Sequence, residues 1–247
     1  MKAPLAIVSD IHSNIDALEA VLEDMKEFKP SALICLGDVV GYGPSAPDCV
    51  AIIREHAAQT ILGNHEALLL GLDGEPVEAY QKTVAQPILI ARKQLDSAQR
   101  DWIKNLSHTA EASGVGFVHA SLDSPSSFYY IDSPEEACAH FEKQTHPVTF
   151  HGHTHVPVVW EMLEGKLACY EAPGKPVKLR PEAHYAINTG SVGQPRDGDP
   201  RASYSLYDPH ARVLLNRRVA YDIARATRRF KEAGLPRHNA SRLSDGR

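Results

Sequence analysis

Residues 5–12, LAIVSDIH, form a short apolar run that ends in two potential metal ligands, Asp10 and His12. Four later stretches repeat this arrangement: ALICLGD at 32–38, TILGNHE at 60–66, GVGFVHA at 114–120 and VTFHGHTH at 148–155. Short apolar runs bounded by turn residues are typical of buried strands. Functional groups in open α/β sheets gather beyond the carboxyl ends of the strands. We therefore predict that the five runs are neighbouring strands of one sheet, with a shared site at its edge.

The side chains that follow these runs have the donor types of a two-metal site. They are carboxylates, imidazoles and one amide: Asp10, His12, Asp38, Asn64 with His65, His119, His153 and His155. A Gly-Asp turn or a single strand-end histidine is usually structural, but the repetition at successive strand ends favours metal binding. Mixed oxygen and nitrogen donors suit borderline ions such as Mn, Fe, Ni, Co or Zn. We therefore predict two divalent transition-metal ions, ~3.5–4 Å apart.

Composition narrows the class of protein. With 247 residues, 43% of them hydrophobic, the chain can bury the core of one large domain or two small ones. A net charge of −5 argues against a nucleic-acid partner, which usually requires a basic surface. The four cysteines contain no C-x-x-C pair, which favours reduced thiols in a cytoplasmic protein. No run approaches the ~18 apolar residues of a membrane span, and the oligomeric state stays open.

The order of the elements indicates an α/β fold. Helical patterns separate the early runs, which implies parallel strands joined by right-handed crossovers. The first helix should begin at Ser13 as N-cap, and Pro87 should kink or split a later helix. Beyond His155, short strand candidates indicate a meander that forms a second, largely antiparallel sheet. We expect a single domain over 1–233, with its last helix at about 221–233, and a disordered polar tail over 234–247.

Taken in order, D-x-H, G-D, G-N-H-E, the strand-end histidine and G-H-T-H resemble the calcineurin-like metallophosphoesterases. Residues 188–204, NTGSVGQPRDGDPRASY, resemble the bacterial phosphodiesterase-like branch of that family. The resemblance implies a four-layer α-β-β-α architecture, a sandwich of two sheets flanked by helices, with the metals at one edge. It also implies a hydrolase in which a metal-bridging hydroxide attacks phosphorus in line.

The resemblance assigns the ligands to two ions. One metal would be held by Asp10, His12, Asp38 and His155, and the other by Asp38, Asn64, His119 and His153, so that Asp38 bridges them. His65 would be catalytic, donating a proton or a hydrogen bond to the leaving oxygen. The motif HGHTH offers a third histidine, His151, which we expect to support the ligands rather than bind metal.

The substrate is less well defined by the sequence. Serine/threonine protein phosphatases of this family carry an Asp and an Arg where this chain has Gly41 and Tyr42. We therefore favour a small phosphorylated or nucleotide substrate: a phosphomonoester, a phosphodiester or a nucleotide phosphoanhydride such as a diadenosine polyphosphate. Arg196 and Arg201 can replace the missing phosphate ligand, with Tyr42 beside them, unless Asp197 or Asp199 pairs with these arginines. A protein phosphatase, a nuclease and a non-catalytic metal-binding scaffold are the alternatives.

Two further groups of residues have a structural and a functional interpretation. Phe128, Tyr129 and Tyr130 can stack on a nucleobase, but such aromatic residues usually pack against the protein itself. Six basic residues near the C-terminus can contact nucleic acid, but a solvated helix face is the more common arrangement. They are Arg217, Arg218, Arg225, Arg228, Arg229 and Lys231. For both groups we expect the structural role.

Overall fold

The first strand, β1 (Leu5–Val8), is buried on both faces because every residue in it is apolar. Successive side chains of a strand point to opposite faces of its sheet. Leu5 and Ile7 accordingly pack between the two sheets, while Ala6 and Val8 pack beneath helices. The computed structural model describes residues 1, 3–72 and 74–247. That part of the chain contains two six-stranded sheets with helices on their outer faces.

Each sheet combines parallel and antiparallel strands. The first has the order β3 (Gln59–Thr60), β2 (Ala32–Cys35), β1, β11 (Ala202–Asp208), β12 (Val213–Val219) and β9 (Val177–Lys178). The second has the order β4 (Thr109–Ala112), β5 (Val115–Val118), β6 (Val148–His151), β10 (His184–Asn188), β7 (Val158–Leu163) and β8 (Lys166–Glu171). β1, β2 and β3 are parallel to one another, as are β5, β6 and β10, and the remaining pairs are antiparallel.

The helices complete four layers. In chain order they are α1 (Ile15–Met25), α2 (Ala46–His56), α3 (Asn64–Leu70), α4 (Lys82–Gln94), α5 (Ser97–Lys104), α6 (Pro134–Lys143), α7 (Ile223–Glu232) and α8 (Arg237–Asp245), with a 3₁₀ turn at Val77–Ala79. Phe117, Phe150 and Tyr207 fill the core between the sheets. Leu18 of α1 lies in the core on the outer face of the first sheet, and Ala137 of α6 lies in the core on the outer face of the second. This is the α-β-β-α architecture that the resemblance implied.

Two predictions about the sheets were wrong. The five early runs do not share one sheet, because those leading to β1, β2 and β3 lie in the first and those leading to β5 and β6 in the second. The late strands do not form a separate meander, because β9, β11 and β12 join the first sheet and β7, β8 and β10 join the second. A strand that is apolar on both faces carries no pattern that identifies its neighbour, so sheet membership could not be read from these runs.

The segment beyond residue 233, which we predicted to be disordered, contains the helix α8. α8 buries Asn239, Ala240 and Leu243 against α7 and neighbouring residues. Asn239 Nδ2 donates to the backbone oxygens of Tyr42 (3.1 Å) and Thr83 (2.9 Å). This contact also explains why α4 continues through Pro87 instead of splitting. The proline leaves the carbonyl of Thr83, four residues earlier, without its helical donor, and Asn239 of α8 supplies one.

Three further local features concern the start of α1, the cysteines and the length of the helices. The N-cap of α1 is Asn14, one residue after the predicted Ser13, and its side chain accepts a hydrogen bond from Ala17 N. All four cysteines are free thiols, with Cys35 and Cys49 buried and Cys138 and Cys169 exposed. Among the described residues, no helix has the length and apolar character needed to cross a membrane.

Candidate metal centre and substrate cleft

The carboxyl ends of strands from both sheets meet at one edge of the sandwich. Asp10 and His12 follow β1, Asp38 follows β2, and Asn64 begins α3 directly after β3. From the second sheet come one histidine after β5 and two after β6, namely His119, His153 and His155. The structure therefore brings all seven predicted ligand residues to one place, although they approach it from two sheets rather than one.

Their donor atoms lie within reach of shared ions. Three overlapping groups have their ligand atoms within 4.8 Å of one another: Asp10 with His12 and His155, Asp38 with His119 and His153, and His12 with Asp38 and His65. The Nε2 atoms of His12 and His155 are 3.1 Å apart, close to the roughly 3 Å that separates neighbouring ligands of one ion with bonds of ~2.0–2.1 Å. Asn64 Oδ1 lies 3.0 Å from His119 Nε2, which adds it to the second group.

Asp38 lies between the first two groups. Its Oδ2 atom is 3.7 Å from His12 Nε2 on one side and 3.5 Å from His119 Nε2 on the other. Its second carboxylate oxygen, Oδ1, accepts a hydrogen bond from the backbone N–H of His65 (2.8 Å), which fixes the orientation of the carboxylate. Asp38 therefore has the position of a bridging ligand.

Backbone carbonyls orient three of the imidazoles. The Nδ1 atoms of His12, His119 and His155 contact the oxygens of Val40 (3.1 Å), Leu36 (2.7 Å) and Gln194 (2.5 Å). A carbonyl oxygen can only accept, so each Nδ1 carries a proton and Nε2 is the ring nitrogen that faces the centre. Histidine ligands of metals are typically oriented in this way.

The electrostatics of the centre favour a cation. Burial works to raise the pKa of Asp10 and Asp38, yet the surrounding histidines hold the pKa of both carboxyls below the ordinary value. Burial lowers the pKa of His12 and His155, and lowers that of His153 to about 3. Although burial opposes it, the Asp38 charge raises the pKa of His119 to about 9.

Ionised carboxylates and neutral imidazoles are the protonation states that bind metals, so His119 would release a proton when a metal binds. In addition, the buried Oδ1 of Asp10 has no hydrogen-bond donor. The residues present therefore fit a pair of divalent cations.

The backbone around the centre is held in an uncommon conformation. Five of the ligand residues have positive φ angles between 50° and 67°: Asp10, His12, Asp38, His153 and His155. Non-glycine residues rarely adopt this region, and each such residue costs on the order of 1–3 kcal/mol. Close packing surrounds them, since a Cβ at Gly63 would lie 2.2 Å from Asp38 Oδ1. The tertiary structure, rather than local preference, therefore orients these ligands.

Glu66 is a site residue that the sequence analysis missed. Its buried carboxylate accepts hydrogen bonds from the backbone N–H groups of Asp38 (2.7 Å), Gly63 (3.0 Å) and Val40 (3.0 Å). It thereby joins the loop after β2 to the start of α3. Burial, followed by the Asp38 charge, raises the pKa of Glu66 to about 7. The available signal was its position as N3 of α3, where acidic residues commonly reach back to the helix start.

His65 lies beside the centre and forms a third group of possible ligand atoms with His12 and Asp38. Its Nε2 atom is 4.0 Å from Asp38 Oδ2, and its buried Nδ1 atom has no hydrogen-bond partner. The ring contacts Tyr42, with centroids 4.7 Å apart, and a Cβ at Gly41 would lie 2.1 Å from Nδ1. Burial lowers the pKa of His65, so the ring is neutral at neutral pH. It can offer one hydrogen bond to a group bound at the metals.

The two candidate arginines occupy different environments. Arg196 Nη2 donates to Tyr42 Oη (3.2 Å) and Gln194 Oε1 (3.1 Å), and the guanidinium lies 5.5 Å from the Tyr42 ring centroid. Its buried Nε–H has no acceptor. Arg201 instead donates from both Nε and Nη2 to Asp199, as in the structural alternative. The structure therefore places Arg196 against Tyr42, whereas Arg201 pairs with Asp199.

His151 is directed away from the ligands. Asn188 Nδ2 lies 3.2 Å from its Nδ1 atom, and its ring centroid is 5.9 Å from that of the buried His140. Asn188 also donates to the oxygen of Gly152 (2.6 Å), between His151 and the ligand His153. His151 is thus part of the packing that supports the loop after β6.

Comparisons with known proteins agree with this geometry. A domain model described as the calcineurin-like phosphoesterase superfamily domain matches residues 4–212. A metallophosphoesterase from Sphaerobacter thermophilus has a crystal structure with a TM-score of 0.86 to this chain, at 34% identity, covering 99% of each chain. The uncharacterized protein MJ0912 of Methanocaldococcus jannaschii is 35% identical over 253 residues, covering all of both chains. The symmetrical bis(5'-nucleosyl)-tetraphosphatase of Thioalkalivibrio sulfidiphilus is 31% identical over 121 residues, covering 47% of this chain and 44% of that one.

Proposed function

Because this chain belongs to the calcineurin-like phosphoesterase superfamily and is a phosphoester hydrolase, we propose that it is a two-metal phosphohydrolase of small substrates. The candidate substrates are phosphomonoesters, phosphodiesters and nucleotide phosphoanhydrides, including diadenosine polyphosphates. The position of Asp38 between two groups of ligand atoms is the observation that carries the proposal. A carboxylate that reaches both groups can hold two ions close together.

We assign the ligands as the resemblance implied, with Asp10, His12 and His155 on one side of Asp38 and Asn64, His119 and His153 on the other. When bound, two divalent ions would supply an activated water and neutralise charge on the phosphoryl oxygens. The donor set contains imidazole, carboxylate and amide but no thiolate, which suits Mn, Fe, Co, Ni or Zn. The free thiols of the chain favour a reducing compartment such as the cytoplasm.

The protein's own groups would bind the phosphate and assist the departing oxygen. His65 offers a hydrogen bond from its neutral ring to the leaving oxygen. Arg196 carries a buried N–H without an acceptor, and a guanidinium matches the geometry of phosphate oxygens. Tyr42 contacts both residues, which links the leaving-group side of the site to the phosphate-binding side.

A small substrate is favoured over a phosphoprotein for two reasons. Gly41 and Tyr42 stand where protein phosphatases of the family have Asp and Arg, so Arg196 must supply the phosphate contact from another loop. The part of the chain that matches the nucleosyl-tetraphosphatase of Thioalkalivibrio sulfidiphilus supports a nucleotide as the substrate class.

The test is reconstitution with Mn²⁺ followed by metal analysis and an activity panel. The panel contains a phosphomonoester, a phosphodiester, a dinucleoside polyphosphate and a phosphopeptide. We expect close to two ions per chain and turnover of a small substrate. Asp38→Asn should weaken both ions and abolish turnover, whereas Asp101→Asn, an exposed change on α5, should alter neither. Full activity in protein stripped of metal by a chelator would contradict the proposal.

A further inference from the structure

A cavity of about 600 Å³ opens directly beside the metal centre. Asn64, His65 and His153 form the wall that it shares with the centre. The cavity extends away from that wall between α3 and the loop after β5, which contributes Phe128 and Tyr130. A group covalently attached to a phosphate at the metals can therefore enter this cavity. Its volume falls within the ~300–1,000 Å³ range of small-molecule sites.

The lining of the cavity is uncharged and rich in aromatic rings. None of the lining residues within the described chain is Asp, Glu, Lys or Arg. Tyr42, Tyr80, Phe128 and Tyr130 contribute rings, and Ala67, Leu68, Leu72 and Val84 add aliphatic surface. Polar groups come from Asn64, His65, His108 and His153. Ser126 and Ser127 add hydroxyl groups. Such a surface suits a flat, uncharged group with a few hydrogen-bonding atoms, and it offers nothing to balance additional phosphates.

Large exposed apolar side chains are concentrated at this cavity. Six large hydrophobic side chains are exposed in the described part of the chain, and three of them line this cavity. These are Leu72, Tyr80 and Tyr130, with exposed fractions of 63%, 39% and 45%. Clustered exposed apolar side chains mark binding sites, whereas scattered ones do not.

Two of the rings are fixed against metal ligands. The Tyr130 ring stacks on His153 with centroids 4.1 Å apart and planes inclined by 28°. The Phe128 ring meets His119 edge-on, with centroids 5.9 Å apart. Phe128 has φ = 53°, an uncommon angle for a bulky residue. The strain indicates that packing, rather than loop preference, directs this ring, so both rings are oriented before a substrate binds.

We infer that this cavity binds the planar, uncharged aromatic group of the substrate, of the nucleobase type, while the attached phosphate lies at the metal centre. The inference rests on the proposed function and assigns specificity to Phe128 and Tyr130. Stacking on aromatic side chains is tolerant of base identity because every base has a π face. The site should therefore distinguish nucleotides from sugar phosphates more strongly than it distinguishes one nucleotide from another.

The test compares two ligands that differ only by the base. Isothermal titration calorimetry of the Mn²⁺-loaded full chain would measure binding of adenosine 5'-monophosphate and ribose 5-phosphate, with recovery of intact ligand checked by chromatography. We expect the nucleotide to bind on the order of 10- to 100-fold more tightly, the contribution of stacking one base. Tyr130→Ala and Phe128→Ala should reduce this ratio while leaving the affinity for ribose 5-phosphate and the metal content unchanged.

The neighbouring Tyr129 provides a matched control, because it is exposed, lies in the same loop and does not line the cavity. Tyr129→Ala should preserve the full ratio. Equal affinities of the wild-type protein for the two ligands would overturn the inference. So would an unchanged ratio of the two affinities in both cavity variants, and so would the absence of nucleotide binding at millimolar concentration. If the proposed function itself is wrong, the Mn²⁺-loaded protein will turn over none of the four substrate classes, whatever the ratio of its affinities for the two ligands.

Discussion

At the scale of single residues, the centre separates metal binding from proton and hydrogen-bond chemistry. The proposed ligands His12, His119 and His155 have one ring nitrogen in contact with a backbone carbonyl. His65 differs, because its buried Nδ1 atom has no partner. A neutral ring without a second hydrogen bond can adopt either tautomer, so it can serve whichever oxygen departs from phosphorus.

Replacement of His65 by alanine should separate catalysis from metal binding. We expect full metal content and a rate lower by ~10²–10⁴-fold, the usual contribution of a positioned acid or base. The loss should be smaller for nitrophenyl esters, whose leaving group needs little assistance. Initial rates on alkyl and nitrophenyl esters measure this, with the exposed His56→Ala of α2 as the control. Equal losses on both esters would assign His65 to positioning rather than to the leaving group.

Arg196 should determine substrate affinity. Arg196→Ala removes a charge-assisted hydrogen bond of ~1.5–3 kcal/mol, so KM should rise while fold and metal content are retained. Arg196→Lys should recover only part of the affinity, because an ammonium lacks the planar fork of a guanidinium. Arg201→Ala should leave KM unchanged, since Asp199 already engages that side chain. Unaltered kinetics in Arg196→Ala would show that Arg196 only braces Tyr42.

The residues that could be predicted at this scale are those with a local signature. Each metal ligand follows an apolar run, so its position relative to a strand end is visible in the sequence. Glu66 has only a partial signature, its N3 position in α3, because two of its three backbone donors come from residues 26 and 28 positions away. The roles of Phe128, Tyr129 and Tyr130 could not be decided from the sequence for the same reason. Phe128 and Tyr130 line the cavity and Tyr129 does not, and a run of three rings does not indicate which ones turn inward.

At the scale of elements, α8 supports the cleft from behind. Asn239 joins it to the backbone of Tyr42 and to the carbonyl that Pro87 leaves free in α4. α7 contributes Phe230, whose ring lies so close to Gly43 that a Cβ there would be 2.9 Å away. The two C-terminal helices therefore hold the loop that carries Tyr42.

Asn239→Asp should loosen this support with little change in side-chain volume. A carboxylate cannot donate to the two backbone oxygens, so both would lose their donor. An unsatisfied buried group costs ~1–3 kcal/mol, and we expect a loss of stability of that size together with faster amide exchange in α8. Denaturant unfolding and hydrogen exchange measure the two effects, with Asn105→Asp on the exposed end of α5 as the control. Unchanged exchange in α8 would refute this role for Asn239.

The sequence concealed α8 because the helix buries so little apolar surface. Only Ala240 and Leu243 represent it in the hydrophobic core, and its remaining residues are mostly polar. A composition of this kind is equally typical of a disordered tail. The helix depends on tertiary contacts such as those of Asn239, which no local pattern records. Helices with a clear apolar face, such as α1, could be located to within about a residue.

At the scale of the whole molecule, the metal centre joins the two sheets. Its proposed ligands follow β1, β2 and β3 of the first sheet and β5 and β6 of the second. The basic residues near the C-terminus form ion pairs that join β12 and α7 to α1. Arg217 pairs with Asp24 of α1 (2.6 Å), and Arg225 and Arg229 pair with Asp16 of the same helix. These pairs support the expected structural role of the basic run.

Metal should therefore stabilise the entire fold. An ion that binds only the folded state adds ~2.7 kcal/mol per site at a concentration 100 times its Kd, which corresponds to a rise in Tm of roughly 5–10 °C for a chain of this size. Calorimetric melting with Mn²⁺ and with a chelator measures the difference, and Asp38→Asn should abolish most of it. If the Tm is the same with Mn²⁺ and with chelator although the protein binds metal stoichiometrically, bound metal does not contribute to holding the two sheets together.

The assignment of strands to the two sheets was the part of the fold that the sequence predicted least well. The architecture followed from the family resemblance, whereas the assignment of β7 to β12 to particular sheets did not follow from any run. β10 and β11 are short, largely buried strands, yet they join different sheets. Their partners are set by packing across the sandwich, which depends on residues far away in the chain.

The order of the strands also affects how the protein emerges from a ribosome. β11 lies beside β1 in the middle of the first sheet, and β10 lies beside β6 in the middle of the second. Every metal ligand has been synthesised by His155, but β10 and β11 end only at Asn188 and Asp208. A nascent chain therefore displays its histidines and carboxylates for some time before the strands that hold them are available. We therefore expect metal to bind at the end of translation or after it. Until then β1 and β6 can pair with β2 and β5, but the edges that later pair with β11 and β10 stay open and are suitable binding sites for chaperones.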